Sequence, residues 1–114
     1  MKRVPAPTNL GSGQDTTIVQ LSLTPDKSYI VTAATELGSS NNTGGLVSCQ
    51  LLENFNPIAG GSANLPGQTV FAQTITLTAA TTGGNIKLSC NPDSGSVARN
   101  SVITAIQVGN LHTQ

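Results

Sequence analysis

Gly45-Leu46-Val47-Ser48-Cys49-Gln50-Leu51-Leu52 and Asn85-Ile86-Lys87-Leu88-Ser89-Cys90 are the two stretches whose reading decides the fold. Each is short, β-prone and bounded by turn residues. In each, the cysteine falls on the apolar side of a two-residue alternation: Val47, Cys49 and Leu51 in one, Ile86, Leu88 and Cys90 in the other. Side chains alternate between the faces of a strand, so both cysteines point inward. Two readings stand, a disulfide stapling the core of a β-sandwich and a pair of buried thiols acting as small hydrophobes. A composition that looks extracellular favours the disulfide between Cys49 and Cys90. It would close a loop of about 40 residues and contribute about 4 kcal/mol in the chain-entropy treatment.

The segments on either side follow the same two-residue rhythm. Thr16–Leu23 sets Val19, Leu21 and Leu23 against Gln20 and Ser22. After a turn at Thr24-Pro25-Asp26-Lys27-Ser28, the strand Tyr29–Leu37 places Tyr29, Val31, Ala33, Thr35 and Leu37 on one face. Its other face, Ile30, Thr32, Ala34 and Glu36, is also partly apolar, which predicts contact with a further layer or subunit. Thr69–Ala79 reads as the longest strand, with Phe71, Ile75 and Leu77 inward and a ladder of Thr74, Thr76 and Thr78 outward. Asn91–Ser96 reads as a tight loop. Ser101–Val108 closes the set, with Val102, Thr104, Ile106 and Val108 opposed to Ile103, Ala105 and Gln107. No segment has a helical period over ten residues. The expected fold is all-β, an antiparallel, jelly-roll-like β-sandwich.

Two regions lack a period. Residues 1–15, rich in Pro, Gly, Ser and Asn, read as a flexible or assembly arm ahead of a sandwich domain over 16–114. Residues 54–68 read as a long loop, with at most a short edge strand, anchored by Phe55, Ile58 and Leu65. A second loop, 38–44, carries Asn41-Asn42-Thr43, a formal glycosylation triplet of low specificity. Met1-Lys2-Arg3 resembles the start of a signal peptide, but the residues after it form no apolar run.

Composition narrows the function classes. The 114 residues make one domain, long enough to bury a core without a cofactor. Charged residues are 9% of the chain, against about a quarter in most soluble domains. Net charge is zero and the five cationic residues are scattered, which disfavours nucleic-acid binding. No apolar run reaches membrane-spanning length. Neutrality leaves little self-repulsion, so self-association is expected.

No catalytic set is visible. The single histidine, His112, lies in the tail, and the carboxylates Asp15, Asp26, Glu36, Glu53 and Asp93 are dispersed. Two cysteines and one histidine make a zinc site improbable. Asp93 with the Asn91 side chain is a poor start for Ca²⁺, and a turn explains the pair better. No cofactor and no enzymatic activity are expected.

From Leu23 on, the chain resembles small β-sandwich domains of secreted actinobacterial proteins and of phage structural proteins. The resemblance is carried by Leu23–Ala33, Val47-Ser48-Cys49, Ile86–Cys90 and Ala98–Val108. In strand rhythm it is also similar to the jelly-roll heads of C1q/TNF-like bacterial proteins, which are usually homotrimers. The resemblance implies a structural or interaction module on an extracellular or virion surface, of decoration or fibre-head type. It implies a homo-oligomer, with a trimer favoured, and virion or surface proteins as partners. The alternative expectation is a carbohydrate-binding module. Its contacts would come from the polar loops, namely Asn41, Asn42, Asn54 and Asn56, with Phe55 as the one loop aromatic.

Overall fold

The computed structural model describes residues 2–4, 6–11, 13–39, 45–65, 71–93 and 96–108. Nine strands run through them: β1 (Lys2–Val4), β2 (Thr8–Leu10), β3 (Thr16–Leu23), β4 (Ser28–Ser39), β5 (Gly45–Glu53), β6 (Asn56–Leu65), β7 (Phe71–Thr81), β8 (Gly84–Pro92) and β9 (Ser96–Val108). All pairings are antiparallel. The first sheet has the order β1-β9-β4-β7, with β2 also on β9, and the second has the order β3-β8-β5-β6. With β1 and β2 taken as one interrupted strand, these are the eight strand positions and the sheet exchange of a jelly roll. No helix among the described residues is long and apolar enough to cross a membrane.

The core lies between the sheets. β4 supplies Tyr29, Val31, Ala33, Thr35 and Leu37, all buried, and β7 supplies Ile75 and Leu77. Facing them are Val47, Cys49 and Leu51 of β5 and Ile86, Leu88 and Cys90 of β8, none more than 1% exposed. These are the inward residues read from the sequence. The two cysteines are bonded. The bond runs between neighbouring strands of the second sheet, where Cys49 and Cys90 are directly paired. It therefore locks the register of β5 on β8 and leaves the joining of the two sheets to apolar packing. A polar tie also joins the sheets at one end, where the Thr81 hydroxyl donates to Glu53 Oε1 and the Thr82 N–H reaches the same oxygen at 3.2 Å.

The structure departs from expectation in three places. Lys2–Val4 and Thr8–Leu10, within the segment read as an arm, pair with β9. Three-residue strands are too short to show a period. The region read as a long loop is mostly β6, ten residues paired with β5. Its inward residues are small (Ala59, Gly61, Ala63) until Leu65, so no apolar alternation marks it. A Cβ at Gly61 would stand 3.3 Å from Leu77 Cδ2, so the glycine admits close approach of β7. β9, with 13 residues, is longer than β7 and starts within the predicted tight loop.

β9 also changes phase. Ser96 and Ala98 face inward, as do Ser101 and Ile103, so the alternation slips by one residue. The slip is a β-bulge: pairing with β4 passes from Ala34↔Val102 to Glu36↔Arg99, and Asn100 takes a left-handed φ of 51°. Ile103 is therefore the core residue, and Ile106 is 63% exposed. Inside the bulge the Thr35 and Ser101 hydroxyls lie 2.7 Å apart and are buried.

Candidate functional site

Every residue between two inward residues of a strand faces outward. Ser48 and Gln50 therefore flank Cys49 on the outer face of the second sheet, and Ser89 and Asn91 flank Cys90 in the same way. The register pairs Ser48 with Asn91 and Gln50 with Ser89. The four form a polar block with the disulfide directly behind it. Two chain ends converge on this block. Asp15 precedes β3, whose Thr16 pairs with Cys90, and Asp93 follows β8. Backbone bonds fix both approaches: Gly13 N–H to Pro92 O at 2.7 Å and Asp93 N–H to Leu46 O at 2.8 Å.

The six residues line a depression of about 290 Å³. Asp15, Ser48, Gln50 and Asp93 are exposed, Asn91 is half-buried and Ser89 is buried. Their chemistry is uniform: two carboxylates that accept, two amides that donate and accept, and two hydroxyls that do both. Such a set satisfies a ligand rich in hydroxyl groups and offers little to an apolar one. Asn91 and Asp93, the pair weighed for calcium, both belong to this lining. Among the described residues no group of three or more His, Cys, Asp or Glu is placed to hold a metal ion.

Of the loop residues proposed as contacts, Asn54, Phe55 and Asn56 lie together at the β5–β6 turn, all exposed, and Asn41 and Asn42 fall outside the described residues. Asn54 and Phe55 have φ of 49° and 74°, the left-handed pair of a two-residue type I′ hairpin. Asn54 is pinned to β8: its N–H donates to Asn85 O, and its Oδ1 accepts from Asn85 N–H, each at 3.0 Å. Phe55 is 77% exposed, and Lys87 Nζ lies 4.4 Å from its ring centroid. Lys87 faces outward on β8, two residues before Ser89, or about 7 Å at the rise of a strand. The hairpin tip and the depression thus lie along one face of the second sheet.

The depression residues escaped the sequence reading as a group, although a signal for them existed. If two cysteines bond across paired strands, their flanking residues must pair on the opposite face. Ser48, Gln50, Ser89 and Asn91 follow from that rule, whereas Asp15 and Asp93 require the turn geometry.

No protein-family profile matches the chain. No curated protein matches it either. Solved structures do. The EclA C-terminal domain, a sugar-binding protein, superposes with a TM-score of 0.50 at 12% identity, over 88% of this chain and 78% of that one. The Stig cyclase Fisc from Fischerella sp. TAU, solved with a pyrrolidinylidene-indole, gives a TM-score of 0.53 at 23% identity, over 85% of this chain. A further cyclase structure from the same organism gives 0.51 at 23% identity, over 86% of this chain. The chain covers 57% of each cyclase. At these identities the likeness establishes the jelly-roll sandwich and no activity. The disulfide fits an oxidising, non-cytoplasmic compartment.

Proposed function

We propose that the chain is a carbohydrate-binding module that takes a neutral, polyhydroxylated glycan on the outer face of its second sheet. The observation that carries this reading is the paired block Ser48–Asn91 and Gln50–Ser89, closed at its end by Asp15 and Asp93 into one depression. Carboxylate and amide groups accept from or donate to adjacent sugar hydroxyls, with two bonding atoms on each planar group. Phe55 stands further along the same face and supplies a ring against which a second sugar unit packs. The sugar-binding character of the EclA domain, on the same fold, supports the assignment.

The reading is of a binding protein without catalysis. Two of the similar structures are cyclases, one holding an indole compound. An apolar ring system calls for an apolar, aromatic-lined pocket, and none of the six depression residues is apolar. Secretion to the cell exterior accords with the disulfide and with a surface poor in charge. A decoration or fibre-head role in a virion has no comparable support.

A glycan array followed by calorimetry on the best binder tests the assignment. Gln50→Ala and Asn91→Ala each weaken binding about tenfold or more, near 1.4 kcal/mol, with the melting temperature little changed. An array without hits, or wild-type affinity in both variants, overturns it.

A further inference from the structure

A sheet that is not closed has two edges, and unprotected edges recruit other strands. Three of the four edges in this sandwich carry a device that discourages pairing. β1 presents Lys2 and Arg3, both exposed. β3 is interrupted by a bulge between Thr17 and Val19. β6 contains Pro57 and the pair Gly60-Gly61, and its register to β5 shifts near Leu52. The fourth edge is β7, Phe-Ala-Gln-Thr-Ile-Thr-Leu-Thr-Ala-Ala-Thr, which holds no charge, proline or glycine. Among the described residues it pairs only with β4, in unbroken register from Gln73 to Thr81. No described strand is hydrogen-bonded to its other side, and β6 packs beside it without pairing.

We propose that β7 is a homophilic docking edge, pairing antiparallel with β7 of a second copy about a two-fold axis at Thr76. The sequence of the strand selects this occupant. Around Thr76 it is nearly symmetric: Ile75 matches Leu77, and Thr74 matches Thr78. Antiparallel pairing about that centre sets Thr76 opposite its own copy, Ile75 opposite the partner's Leu77, and Thr74 opposite the partner's Thr78. Each of the five central cross-strand pairs is then apolar–apolar on the inner face or Thr–Thr on the outer face, both favourable in sheets, and beyond them Gln73 falls opposite the partner's Ala79. Ile75 and Leu77 are already buried in the sandwich, at 6% and 7% exposure, so pairing leaves the core of each copy intact. A strand without charge, in a chain of zero net charge, does not repel its own copy.

The product is an isologous dimer with one continuous sheet running through both copies. It differs from the trimer that the C1q/TNF-like strand rhythm implies. Both depressions stay open, because they lie on the other sheet. Two of them on one rigid particle raise the avidity for a repeating ligand.

Sedimentation equilibrium on the full chain, with two paired variants, tests the register. The wild type dimerises with a dissociation constant below ~100 μM. Thr74→Lys with Thr78→Glu sets opposite charges across the two-fold and keeps or tightens the dimer. Thr74→Lys with Thr78→Lys sets like charges there and gives a monomer of unchanged circular dichroism. A wild type that is monomeric at ~1 mM, or the same assembly state in both variants, overturns the proposal. So does a trimer. If Thr74→Lys with Thr78→Lys fails to fold, loss of dimer in Thr76→Lys with retention in Thr104→Lys upholds the proposal, and equal behaviour of those two overturns it. None of these readouts depends on glycan binding.

Discussion

The two outer faces of the sandwich are built from different chemistry, although the inner faces are alike. The first sheet turns Ile30, Thr32, Ala34, Thr74, Thr76, Thr78, Val102, Thr104 and Ile106 outward, mostly β-branched residues that strands prefer. The second turns Ser48, Gln50, Ser89 and Asn91 outward, with Lys87 beside them. Asn and Ser are poor strand formers, favoured in turns where their side chains bond the backbone. Nothing in the fold requires them there, since the first sheet reaches the same architecture without them. The second sheet also carries the disulfide, directly behind the polar block. A covalent register lock lies behind a face of weak local strand preference. The difference separates a face that follows strand propensity from one that departs from it, as the proposed glycan site requires.

The largest test of this contrast removes the lock. Replacing both cysteines, Cys49→Ala with Cys90→Ala, frees a loop with a sequence separation of 41 residues. About 4 kcal/mol of stability is then lost in urea titrations. Amide exchange should rise first in β5 and β8 and last in the β4–β9 pair, and glycan affinity should fall with it. Uniform loss of protection in both sheets would show that the bond serves the whole domain and not the second sheet in particular.

The next effect concerns a polar pair inside the first sheet. Thr35 and Ser101 hydroxyls meet in the β9 bulge, buried and 2.7 Å apart. Thr35→Val strands the Ser101 hydroxyl and costs about 1–3 kcal/mol. The double variant with Ser101→Ala recovers part of that, with a coupling above about 0.5 kcal/mol in a thermal or urea cycle. Neither change alters glycan binding. Polar groups within the first sheet would then act on stability alone, whereas Gln50 and Asn91 act on affinity alone.

How much of this was legible in the sequence depended on side-chain size and on unbroken alternation. β4, β5 and β8 have both, and their inward residues from Tyr29 to Leu37, Val47 to Leu51 and Ile86 to Cys90 could be read directly. β6 has the alternation but not the size, because Ala59, Gly61 and Ala63 fill its inner positions. β9 has the size but not the unbroken alternation. The left-handed Asn100 shifts its phase, so Ile103 and not Ile106 enters the core. The hairpin tip of the candidate site was visible as Asn54-Phe55-Asn56. The depression was not, because its residues come from three separate segments brought together by register.

The smallest effect should come from Phe55, and its sign distinguishes function from structure. The ring is 77% exposed, at φ 74° in a turn position where glycine is preferred. Left-handed backbone costs a non-glycine residue about 1–2 kcal/mol, and the Lys87 contact returns about 0.5–1 kcal/mol at an exposed site. Phe55→Gly therefore stabilises the domain slightly, by up to about 1 kcal/mol in urea titration, while weakening glycan binding. Phe55→Ala keeps the backbone strain and loses the ring, so it weakens binding without the gain in stability. Under the proposed function, an aromatic at a strained, solvent-facing turn is accounted for by the glycan it contacts. If Phe55→Gly instead destabilises the domain and leaves binding unchanged, the ring serves to hold Lys87 and the hairpin, and the ligand face ends at Gln50 and Ser89.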